Sequence, residues 1–123
     1  MPLFQKARKP EPEIDKPGYY KGKHYSAYVP EIISLKKTEG SKELEFLLLN
    51  LVEATEAQSK AESLGVAPFY YEELAILYRK QKLYSKEVAI LERYMGNKKA
   101  NGVKPAQLVR RLDKARELAG KGK

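Results

Sequence analysis

No cysteine occurs among the 123 residues, so a disulfide framework, a thiolate metal site and a thiol nucleophile are all excluded. Histidine is nearly as scarce. His24 is the only one, and no Gly-x-Ser-x-Gly elbow accompanies it, so it reads as a structural or solvated side chain. Neither a Walker-type loop nor a Gly-x-Gly-x-x-Gly turn is present, which removes the commonest phosphate cradles. Long apolar runs are missing too: no stretch approaches the ~20 residues a membrane helix needs. Met1-Pro2-Leu3-Phe4 leads into charge and proline rather than the apolar core of a signal peptide. A cytoplasmic protein with no membrane partner is the expectation.

Carboxylates are plentiful but badly arranged for chemistry. Glu72 and Glu73 are adjacent on a helix and so point about 100° apart, the wrong relation for a cooperating acid and base. Glu53, Glu56 and Glu62 share a mainly polar face with no His or Asp to complete a metal set, and a solvated role is expected for them. The sequence therefore points to a protein with no catalytic residues, no metal and no cofactor.

What the chain does contain is charge in blocks, tyrosine and helical periodicity. Its net charge is +8. Residues 1–40 carry eight Lys/Arg against five Asp/Glu, residues 41–73 two against seven, and residues 74–123 fourteen against four. The acidic middle and basic C-terminal part can pair inside the fold, with a second copy, or with an external polyanion. At this length one domain suffices, burying roughly two thirds of the unfolded surface.

Residues 1–22 hold four prolines interleaved with charge and are expected to form a flexible or extended arm. Its end, Gly18 to Tyr25, mixes tyrosines with cations. Such rings either stack on bases or lie over the domain as an anchor. A short helix is expected over Ser26–Lys37, regular from Val29 with Pro30 in its first turn. Gly40 and Ser41 mark a break, with Ser41 as N-cap. A second helix should run from Lys42 to Ser63 or Leu64 and end at Gly65. Its Leu-rich first half is expected to be sandwiched on both sides, and its second half, Glu53 to Ser63, to be more exposed.

From Val66 to Met95 the spacing predicts two helices joined by a turn at Lys82–Ser85, with Pro68 opening the first and Ser85 capping the second. Tyr70, Tyr71, Leu74, Ala75, Leu77 and Tyr78 form one broad face, and Val88, Leu91, Tyr94 and Met95 the matching stripe. Residues 96–104 read as a loop. A fifth helix opens near Pro105, with Leu108, Val109, Leu112, Ala115, Leu118 and Ala119 at helical spacing, and residues 120–123 read as a frayed tail. The fold class is all-α: an antiparallel array of about five helices over 23–119.

The pattern Tyr71-x2-Leu74-Ala75-x2-Tyr78, with Tyr84 at the turn and Leu91 beyond it, resembles a tetratricopeptide-repeat hairpin. Ala75 stands where Gly is usual, Glu87 where the repeat has a small Ala, and Lys99 where a closing Pro is usual. The segment GVAPFYYEELAILYR with EVAILERY is also similar to segments of small uncharacterised bacterial and bacteriophage proteins. The first resemblance implies a concave groove lined by Phe69, Glu72, Ile76, Arg79 and Lys80. Such a set would grip a protein or peptide partner, particularly an acidic one. A second candidate cluster, Lys98, Lys99, Lys104, Arg110, Arg111 and Lys114, offers a polyanion surface without sequence readout. Three functions follow in order: a protein- or peptide-interaction module, a nucleic-acid-binding accessory protein, and a self-assembling structural protein in which helix two of one copy meets helix five of another.

Overall fold

The computed structural model describes residues 16–38 and 40–121. Among them five α-helices form an all-α array: α1 (Val29–Lys37), α2 (Ser41–Glu62), α3 (Pro68–Lys80), α4 (Tyr84–Met95) and α5 (Lys104–Lys121). Pro30 lies in the first turn of α1 and Pro68 opens α3, each where the missing N–H has no partner to lose. Helix α2 packs on α1 and α3, and α4 packs on α3 and α5, while α3 also touches α5. Ion pairs from α1 to α3 and from α3 to α5, and another from α2 to α4, complete the pattern. The helices thus form two layers, with α1, α3 and α5 in one and α2 and α4 in the other.

The core is one cluster built on the middle of this array. Tyr71, Leu74 and Ala75 of α3 meet Leu91 and Tyr94 of α4, with Leu48, Leu51 and Val52 of α2 behind them, all fully buried. Each large apolar side chain so buried contributes about 1.5–3 kcal/mol. The Tyr71 and Tyr94 rings lie 5.1 Å apart, and the small Ala75 lets the neighbouring helix approach.

Several local expectations shift. Helix α2 starts one residue early and α4 two, with Gly40 and Leu83 in the cap positions and no side-chain cap. Ser41 and Ser85 are therefore inside their helices rather than capping them. The second half of α2 is the more exposed half, but not uniformly so. Ala54, Thr55 and Ser59 are buried there, because small side chains let the link to α3 cross close by, and Thr55 Oγ1 accepts from the Ala67 N–H at 2.9 Å. Nor is the first half covered on both sides, since Phe46 is 63% exposed.

Gly65 has a different task from ending α2, which closes at Ser63 in a left-handed conformation (φ 57°). At Gly65 (φ 85°) a Cβ would come within 2.5 Å of the Ala100 nitrogen. The glycine is needed there because the 63–67 link runs against the 96–103 link, bonded from Val66 N–H to Lys98 O at 2.7 Å and from Ala100 N–H to Val66 O at 3.3 Å. A second left-handed residue, Lys82 (φ 61°), ends α3. The Leu83 N–H reaches back to Tyr78 O and the Lys82 N–H to Arg79 O, a Schellman closure in which glycine is the usual occupant.

The expected arm over 1–22 lies outside the described residues up to 15. From Gly18 the chain forms a hairpin of two-residue strands, β1 (Tyr19–Tyr20) and β2 (Lys23–His24), turning through Lys21 and Gly22, both at positive φ. A single 3₁₀ turn, Tyr25–Tyr28, leads into α1. At the other end α5 continues through Gly120 to Lys121, and residues 122–123 lie outside the described residues.

Candidate functional site

Charge in this protein is arranged around two carboxylates that sequence reading did not single out as sites. Glu87, in the first turn of α4, has no exposed surface. Arg79 of α3 grips it with two bonds, Nε to Oε1 at 3.0 Å and Nη2 to Oε2 at 2.8 Å. Arg111 of α5 adds Nη1 to Oε2 at 3.2 Å, and Arg79 Nη2 also donates to the Arg111 carbonyl at 3.2 Å. Three helices are thereby tied through one buried carboxylate. Bidentate arginine geometry is what makes a buried anion tolerable.

Glu56 of α2 is the second. Arg93 of α4 donates Nε and Nη2 to its two oxygens, each at 2.8 Å, while the Tyr71 hydroxyl donates at 2.8 Å and the Asn97 amide at 3.2 Å. Burial pushes the Glu56 carboxyl up, but the bonds from Arg93, Tyr71 and Asn97 together outweigh it and hold its pKa below the usual range. The same contact works in reverse on Tyr71, whose hydroxyl is pushed far above its ordinary value by burial and then by the carboxylate it donates to. The expectation of a solvated Glu56 is thus overturned. The missed signal was the small-residue stripe around it, which allows α3 and α4 to come close enough to cover it.

These contacts account for most of the candidate cations. Lys98 Nζ donates to Ser63 O at 2.6 Å, and Lys99 Nζ to the Met95 and Asn97 carbonyls at 2.8 and 3.1 Å. Lys104 pairs with Glu72 at 2.8 Å, Arg111 with Glu87, and Lys114 with Glu117 at 3.5 Å. Of that set only Arg110 is exposed without a partner among the described residues. The acidic and basic blocks of the sequence meet inside the fold.

The five groove candidates are divided in the same way. Arg79 is committed to Glu87, Glu72 to Lys104, and Phe69 is half-buried edge-on to the Tyr70 ring at 5.1 Å. Ile76 and Lys80 instead line a half-open pocket of about 310 Å³ between α1, α3 and the start of α2. Its apolar lining is Leu35, Leu44, Ile76 and Leu77, and its polar rim includes Lys36, Glu73 and Lys80. Lys36 Nζ meets Glu73 Oε1 at 2.8 Å, a pair that cancels in charge. Lys80, exposed and without an ion-pair partner among the described residues, leaves the pocket with a net positive charge.

The cation-and-tyrosine segment at 18–25 is used for packing. Tyr25 meets Tyr70 edge-on at 5.3 Å, Tyr20 meets Tyr28 at 5.7 Å, and Lys23 Nζ sits 4.3 Å from the Tyr28 ring centre. His24 bridges to Gln58 of α2 at 3.1 Å and to Ser26 at 2.8 Å. Because the Ser26 N–H points at Nδ1, that nitrogen is the acceptor and Nε2–H donates to Gln58. Among the described residues no group of three or more His, Cys, Asp or Glu is placed to hold a metal ion, and no helix is long and apolar enough to cross a membrane. Comparison with protein-family models, with curated proteins and with solved structures finds no match.

Proposed function

We propose that this protein is a tetratricopeptide-like interaction module that binds a peptide segment of a protein partner in the α1–α3 pocket, without a chemical step. The observation that carries the reading is the pocket itself: an apolar lining of one-side-chain capacity beside the uncommitted Lys80. Such a site fits a peptide that inserts one aliphatic or aromatic residue and presents a carboxylate next to it. The partner is therefore acidic at the contact, as in a segment of Asp or Glu flanking Leu or Phe, or a free C-terminal carboxylate. The polyanion reading draws less support, since five of its six cations are already engaged within the fold.

The test is a two-dimensional NMR titration of the full chain with the short peptides Glu-Glu-Leu-Phe and Lys-Lys-Leu-Phe. The acidic peptide is expected to shift the amides of Leu44, Ile76, Leu77 and Lys80, and Lys80→Glu should remove the preference for it. If the pocket amides stay put at millimolar peptide while the helical spectrum is intact, the assignment fails.

A further inference from the structure

Helix α2 is the longest helix among the described residues, at 22 residues, and its outer stripe has no function so far. At 100° per residue Lys42, Phe46, Leu49 and Glu53 fall within a sector of about 60°. That sector lies opposite the stripe of Leu44, Leu48, Leu51 and Thr55 that faces the core. Phe46 is 63% exposed there, Leu49 is half-buried with part of its side chain on the core, and Lys42 and Glu53 are exposed with no ion pair or hydrogen bond among the described residues, Glu53 lying near enough to Arg93 to raise its pKa. Phe46 thus gives this stripe an exposed apolar centre between one cation and one carboxylate.

We propose that two copies of this chain pair through this stripe, α2 against α2, antiparallel about a two-fold axis between Leu47 and Leu48. The charge order decides the arrangement. In the antiparallel register Phe46 of one copy meets Leu49 of the other, and Lys42 of each meets Glu53 of the other, so two apolar contacts are flanked by two opposite-charge pairs. A parallel pairing would set Lys42 on Lys42 and Glu53 on Glu53. This contact differs from an α2–α5 assembly, whose α5 side is weakened because Arg111, Lys114 and Arg116 already hold carboxylates of their own chain. Leu44 points about 160° away from Phe46 around the helix. Both peptide pockets thus stay open in the pair, although the pairing does not depend on what they bind.

Sedimentation equilibrium of the full chain, with circular dichroism on every variant, tests it. The wild type is expected to dimerise and Phe46→Glu to be monomeric with unchanged helicity. Lys42→Glu alone and Glu53→Lys alone should each weaken association about tenfold or more, since each sets like charges together twice. The two swaps combined should restore it. Lys42→Glu places an acid in the first turn of α2, where the helix dipole favours it, so weaker association cannot be read as a damaged helix. A monomeric wild type, a dimer that survives Phe46→Glu, or a double swap no tighter than the singles would each overturn the proposal.

Discussion

The two ends of the array are held by different physics. At the α3–α4–α5 end, a carboxylate with no exposed surface is shared by Arg79 and Arg111, and the two long links are hydrogen-bonded to each other. At the other end α1 packs on α2 and is tied to another helix by one ion pair among the described residues, Lys36–Glu73 to α3, whose lysine is 46% exposed. The pocket and the open Phe46 are both at that second end. Cations are consumed where the fold is stitched, and open apolar surface remains where it is not. The arginine that a repeat-like groove would offer to a ligand is instead a structural group.

Arg79→Ala should break this contrast most severely. It leaves the Glu87 carboxylate buried with only Arg111, and a loss of about 3–5 kcal/mol in denaturant unfolding is expected. That is a large part of a stability of about 5–15 kcal/mol. Glu87→Leu should cost less, because Arg79 and Arg111 are 29% and 25% exposed and can turn their heads to water.

Arg93→Ala comes next. Glu56 retains Tyr71 and Asn97 and is 15% exposed, so a loss of about 1.5–3 kcal/mol is expected. The two-end contrast also has a pH signature. Because the folded Glu56 pKa lies below its ordinary 4.5, its contribution is complete above that value and fades as pH falls through the folded pKa. Arg93→Ala should flatten that acid limb in unfolding curves. The alkaline side runs the other way: burial raises Tyr70 to about 12, so the stability tied to its protonated hydroxyl is present below its ordinary 10.0 and lost as pH rises through about 12.

At the open end Lys36→Ala removes the ion-pair partner of Glu73, whose side chain is only 9% exposed, and a loss of about 1–3 kcal/mol is expected. The smallest effect belongs to Tyr94, whose buried hydroxyl has no hydrogen-bond partner among the described residues. Tyr94→Phe should change stability by less than about 0.5 kcal/mol or increase it, whereas Tyr71→Phe, which removes a bond to Glu56, should lose about 1.5 kcal/mol. Thermal melts of the two variants side by side check this.

The five helices were legible in the sequence because each carries its own periodicity, and Pro30 and Pro68 mark their starts. The hairpin at 18–25 was not, for two-residue strands are too short to alternate, and Lys21 occupies a positive φ where Asn or Gly is the usual sign. Phe46 was unreadable for another reason: a leucine-rich run does not say which side lacks a neighbour. Of the groove set, Ile76 and Lys80 line the pocket while Arg79 and Glu72 are ion-paired elsewhere. Nothing in residue type separates a cation awaiting a ligand from one holding a carboxylate two helices away. Glu87 did leave a trace, since it stands where the repeat pattern has a small residue. A departure of that kind, next to Arg79 on the facing helix, can be read as a buried pair.

The account depends most on Arg79 and Glu87 acting as one unit inside the fold. A double-mutant cycle with Arg79→Ala and Glu87→Leu, followed by equilibrium unfolding, measures that directly. The double variant is expected to be more stable than Arg79→Ala alone, with a coupling of about 2 kcal/mol or more. Additive losses, with Arg79→Ala no more harmful than an exposed arginine would be, would show that the pair is incidental and that Arg79 is free for a ligand after all.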